Sequence, residues 1–67
     1  MLANVINTVL DYVWYEIYER HEGEHAFYDV FRIDAELGLM RTVAKSEHRE
    51  SDAALEVKFD MARLGIA

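Results

Sequence analysis

Two histidines and two glutamates surround a single glycine in YERHEGEHAFYDVF, residues 18–31, so His21-Glu22-Gly23-Glu24-His25 has the residue types of a metal site. Metal-binding histidines must bring ring nitrogens to about 2.0–2.1 Å from one ion, usually with two or more further ligands. In a hairpin, His21 sits at the tip and His25 on a flank, and the rings diverge. In a helix they share a face four residues apart, but Gly23 between them weakens that helix. His48 adds a third ligand only if the fold brings it near. The expectation is a turn and no metal, with His21 and His25 as the candidates if a metal is held at all.

A second polar stretch, AKSEHRESD at 44–52, sets Ser46 and Ser51 beside His48. A serine nucleophile needs a base, an orienting acid and an oxyanion hole on a rigid frame, whereas serines ahead of a helix are ordinary lead-in residues. The sequence has no cysteine, no glycine-rich phosphate loop and no carboxylate pair of distinctive spacing. No enzyme activity and no cofactor are expected. Glu16, Glu19, Glu22 and Glu24, balanced only by Arg20, offer a different chemistry. They form a projecting negative hairpin that suits a basic protein surface, as small acidic inhibitors that imitate nucleic acid do. Plain solvation explains the same residues.

The elements that must position these groups are punctuated by glycine. Gly23 and Gly38 lie 15 residues apart with no proline anywhere, a spacing that suits a strand between two turns, because glycine adopts positive φ without steric cost. Three-residue hairpin loops at His21–Gly23 and Glu36–Gly38 predict a three-stranded antiparallel meander over about 12–21, 25–34 and 39–45. In that register Ile17 faces Phe27, Tyr15 faces Asp29 and Val13 faces Phe31. One face then collects Val13, Tyr15, Ile17, Phe27, Phe31 and Ile33 as the core, and Val43 joins it from the last strand. The other face collects Trp14, Tyr18, Tyr28 and Val30 among charged residues.

Beyond residue 50 the period changes. Leu55, Phe59, Ala62 and Ile66 recur on one side and Asp52, Glu56, Asp60 and Arg63 on the other, which predicts an amphipathic helix over about 51–65, capped by Ser51 or Asp52 and ended by Gly65. Residues 2–10 predict a short N-terminal helix, completing an α+β fold. The rival is an all-α helical hairpin or three-helix bundle, since an apolar stripe of helical spacing also runs from Leu2 to Tyr18. The density of β-branched and aromatic residues in 12–18 and 27–33 favours strands.

Size and charge limit what such a fold does. Sixty-seven residues form one domain, 1–67, and a chain this short hides only about 60% of the surface it exposes when unfolded. With 52% apolar residues it folds, and with no cysteines it has no disulfide to help it. Thirteen acids against seven bases give a net charge of -6, which opposes phosphate backbones and anionic membranes. No nucleic-acid or membrane partner is expected. No apolar run approaches the ~20 residues of a membrane span and no secretory leader is evident, so the cytoplasm is the default compartment. The sequence reads as a small, acidic, non-enzymatic domain for protein interaction or regulation. It is expected to be a homo-oligomer, most simply a homodimer, or to bind a protein partner through Trp14, Tyr18, Tyr28 and Val30.

Overall fold

The computed structural model describes residues 1–66 as four strands and one helix: β1 (Leu2–Asn7), β2 (Val13–Glu22), β3 (His25–Asp34), β4 (Leu39–Glu47) and α1 (Glu50–Leu64). The strands pair antiparallel in the order β1-β2-β3-β4. The fold is α+β, with the C-terminal helix and the three longer strands where the sequence places them. Residues 2–7, expected as a helix, form a fourth strand instead. Tertiary pairing decides this: Val5 lies opposite Glu16, Ile6 opposite Tyr15 and Asn7 opposite Trp14. The β-branched Val5 and Ile6 suit an extended chain beside a neighbour as well as they suit a helical stripe. The Thr8 hydroxyl, donating to the Val13 carbonyl at 2.8 Å, closes the connection to β2.

The first hairpin has a two-residue loop, Gly23-Glu24, closed by the pair Glu22 and His25. Gly23 has φ of 63° and Glu24 has no positive φ, the pattern of a primed turn with glycine at its first central position. A loop shorter by one residue, closed on a different pair, moves β3 three places along β2 from the expected register. An odd shift turns every β3 side chain to the opposite face. Ile17 therefore lies opposite Val30, and Tyr15 opposite Arg32. Val30 is fully buried with Tyr15 and Ile17, while Phe27, Phe31 and Ile33 point to the far side of the sheet. Val43 does join the core, as expected.

Helix α1 covers one face of the sheet, over β2, β3 and β4. Its buried side chains are Ala53, Val57 and Asp60, not the predicted stripe: Leu55 is 45% and Phe59 58% exposed. Two residues of offset amount to roughly 200° of rotation about the helix axis. The cause lies in Asp60, which is 3% exposed. Its Oδ2 accepts from the Tyr15 hydroxyl at 2.5 Å and from Arg32 Nη1 at 2.5 Å, and its Oδ1 accepts from Arg63. A buried carboxylate needs such partners, and both sheet partners lie beneath the helix. Ala53 and Val57 are the residues that the same rotation turns inward.

The helix begins after Arg49, with no side-chain cap bond, so neither Ser51 nor Asp52 acts as its cap; Glu50 and Asp52 sit instead in the first turn, where carboxylates favour the positive end of the helix dipole. Gly65 ends it as expected, at φ of 72°. Its N–H donates to the Ala62 carbonyl and that of Ile66 to the Met61 carbonyl, the paired bonds of a Schellman motif.

Burial raises the Tyr15 phenol, and the hydrogen bond and charge of Asp60 raise it further, to about 12. Burial also pushes the Asp60 carboxyl up, but the hydrogen bonds from Tyr15 and Arg32 and the charges of Arg32 and Arg63 outweigh it and hold the group below the ordinary range. The two shifts act at opposite ends of the pH scale. A depressed carboxyl stabilises the fold above its unfolded value, and that contribution is lost as pH falls through its folded value. A raised phenol contributes fully below pH 10 and loses its contribution as pH rises toward 12. Tyr15→Phe is expected to cost about 2 kcal/mol at neutral pH, because it takes a donor from a buried carboxylate. It should also flatten the loss of stability above pH 10, as measured by urea unfolding at neutral and alkaline pH.

Candidate functional site

The face of the sheet opposite α1 is left open. Even-numbered residues of β2 and odd-numbered residues of β3 share it, which brings Trp14, Glu16, Tyr18 and Arg20 beside Phe27, Asp29, Phe31 and Ile33. Each aromatic is half-buried, and no element lies above them among the described residues. Tyr18 meets Phe31 edge to face at a centroid distance of 5.6 Å, a favoured arrangement for aromatic pairs. The Arg20 guanidinium lies 5.3 Å from the centre of the Phe27 ring.

The charges on this face are paired with one another. Glu16 accepts from the Trp14 indole N–H at 2.9 Å and from the Tyr18 hydroxyl at 2.6 Å, and these two bonds hold its carboxyl below the usual range. Asp29, largely buried, takes two bonds from Arg20, from Nε at 3.1 Å and Nη2 at 3.2 Å. It takes a third from the Ser46 backbone N–H at 3.0 Å. The Arg20 hydrogen bond is the main reason its carboxyl is lowered, with burial opposing and Ser46 assisting. Ser46 has φ of 59°, the only positive value outside glycine among the described residues, where an L side chain costs roughly 1–2 kcal/mol. The Arg20–Asp29 pair holds it there through the backbone bond to Asp29 and one from Arg20 to its hydroxyl at 2.9 Å.

Of the four residues expected to form one contact surface, the structure brings Trp14 and Tyr18 together on the open face and sends the other two elsewhere. Val30 is a core residue with no exposed surface. Tyr28 packs on the helix side and donates to Glu19 at 3.2 Å. Their places are taken by Phe27, Phe31 and Ile33, residues the expected register assigns to the core. The Gly23-Glu24 pair was the signal for the shorter loop, since glycine first in a two-residue turn is one of the favoured hairpin patterns.

The acidic group does not form one patch. Glu16 is engaged on the open face, Glu19 lies on the helix side against His21 and Tyr28, Glu22 pairs with Arg20, and Glu24 stands at the turn. His21 and His25 fall on opposite faces. His21 Nε2 is 2.5 Å from Glu19, and His25 lies against Phe27 at 6.3 Å between centroids. His48 lies against the same ring at 5.5 Å. Among the described residues no three acidic or histidine side chains converge as a metal site would require. Ser46 is tied to Arg20 and Asp29, and Ser51 lies in the first turn of α1.

Clefts open on the helix side among the described residues. One of about 200 Å³ lies against Val43, Glu56 and Phe59. A larger one, about 420 Å³, lies where Leu10, Tyr12, Leu64 and Ile66 meet Arg32 and Asp34, and its arginine is already committed to Asp60. No helix of the described residues is long and apolar enough to cross a membrane.

No known family model matches the chain, and no curated protein and no solved structure matches it. The reversed β3 faces make a sharp comparison. Val30→Asp buries an unpaired carboxylate under α1 and is expected to unfold the chain, at a cost of several kcal/mol. Phe31→Asp places the same group where water reaches it and should leave the far-UV circular dichroism spectrum intact.

Proposed function

We propose that the chain is a small acidic protein-interaction domain with a regulatory role, that it catalyses no reaction, and that it associates with itself. The observation that carries this reading is the open face. Five large apolar residues, Trp14, Tyr18, Phe27, Phe31 and Ile33, occupy one side of a sheet that has its helix on the other. Soluble monomers rarely leave a contiguous apolar patch of this kind without a use for it. Tryptophan, tyrosine and arginine are also the residues that most often anchor protein contacts.

Three further features support it. The molecule is a slab of 36 × 22 × 15 Å, and its broad face approaches the ~800 Å² that a stable interface takes from each partner. The Asp29 carboxylate already has the Arg20 guanidinium beside it on the same face, so covering that pair strands no charge, which is the main cost of burying ionic groups at a contact. The core beneath α1 is small, with six buried apolar residues among the described residues, and small scaffolds without disulfides commonly draw stability from association.

Light scattering of the purified chain from micromolar to millimolar concentration tests the reading. A mass rising above 7.8 kDa, with a Tm that climbs with protein concentration, is the expected result. A soluble monomer at millimolar concentration, with a Tm independent of concentration, overturns it.

A further inference from the structure

We infer that self-association runs through the outer edge of β1, where a second copy of the chain pairs antiparallel to make one eight-stranded sheet. This rests on the reading of the chain as self-associating, but it places the contact between copies at the strand edge and leaves the open aromatic face to a protein partner.

The two edges of the sheet differ. β4 is guarded as edge strands usually are. It carries the exposed Arg41 and Lys45, its pairing with β3 slips twice between Tyr28 and Phe31, and Ser46 bends it at positive φ. β1 has neither proline nor a charged side chain. Its one irregularity lies between Leu2 and Asn4, so Asn4–Asn7 runs regular and open. Leu2 and Val5 lie opposite Tyr18 and Glu16, on the face away from α1, and are 49% and 43% exposed. The Val5 N–H donates to Asn4 Oδ1 at 2.8 Å. That donor is turned to a side chain of its own strand rather than to β2, and an incoming carbonyl can replace so local a bond.

Charge selects the occupant. A two-fold contact sets a surface against its own copy, so a charge at the axis meets its own sign, and with thirteen acids to seven bases that charge is most often negative. Residues 1–10 contain no charged side chain, and no other uncharged run in the sequence exceeds four residues. The one long segment with no charged side chain to set against its own copy is therefore the segment that forms the open edge. Pairing there leaves both aromatic faces on the same side of the enlarged sheet, side by side and free for another protein.

Light scattering of the wild-type chain, Val5→Pro, Val5→Lys and Phe31→Glu decides it. Proline removes the outward N–H and nothing from the β1–β2 ladder. Lysine adds the edge charge that β1 lacks. Circular dichroism checks that each variant is folded, and Val5→Lys carries the decision if the proline variant is not. The expected result is a wild-type dimer, a dimer Kd raised roughly tenfold or more in the Val5 variants, and an unchanged dimer in Phe31→Glu. Folded Val5→Lys that dimerises like wild type overturns the edge contact while leaving self-association standing, and loss of the dimer in Phe31→Glu alone would assign it to the aromatic face. A wild-type chain that is monomeric throughout overturns both readings.

Discussion

The Asp60 carboxylate, bonded to Tyr15 from β2 and Arg32 from β3, is the interaction on which the architecture turns. Apolar contacts alone would not fix the rotation of a 15-residue helix laid on a small sheet, since α1 offers two apolar stripes. One contains Ala53, Val57 and Met61, and the other Leu55 and Phe59. Apolar area favours the second, but a buried carboxylate is an all-or-none constraint. With Asp60 inward and its donors in place, the larger side chains Leu55 and Phe59 stay outside. The fold thus gives up some apolar burial for a polar contact that specifies one orientation.

The same contact accounts for the one-sidedness of the molecule. Tyr15, Ile17 and Val30 are buried beneath a single helix, and none of the described residues covers the reverse of the sheet. That reverse face is more aromatic than the core itself, and it stays ordered because its polar groups satisfy one another. Glu16 joins Trp14 to Tyr18, and the Arg20–Asp29 pair ties β2 to β3 and to the bend at Ser46. These bonds stiffen a surface that has no packing partner of its own. Rigid aromatic anchors with their polar neighbours already bonded lose little conformational entropy when covered.

Parity explains why residues on this face were hard to assign in advance. Hairpin loops of two and three residues both suit HEGEH, and the choice moves the closing pair. Side chains alternate with a period of two, so the odd displacement exchanged the faces of β3 as a block. Val30 moved from the surface to the core, and Phe27, Phe31 and Ile33 moved the other way. β2 kept its assignment because its alternation of Val13, Tyr15 and Ile17 with Glu16 and Arg20 is internal to the strand. For β3 the segment FYDVFRI carries large apolar residues on both faces, and no pattern within it says which side is covered.

The sequence by itself determined the local features. It marked the bends at Gly23 and Gly38, the approximate extents of the three longer strands, a helix over about 51–65 and its end at Gly65, because each depends on backbone preferences and spacing within a few residues. Tertiary structure decided the rest. Residues 2–7 became a strand because β2 offered a pairing edge, although their apolar spacing is also helical. The faces of β3, the rotation of α1 and the identity of the uncovered aromatic surface were set by contacts between residues up to 45 positions apart, such as Tyr15 with Asp60. Such contacts carry no local signal. Either carboxylate, Asp60 or Asp29, reads in isolation as a solvated charge, and only the assembled sheet supplies the donors that allow it to be buried.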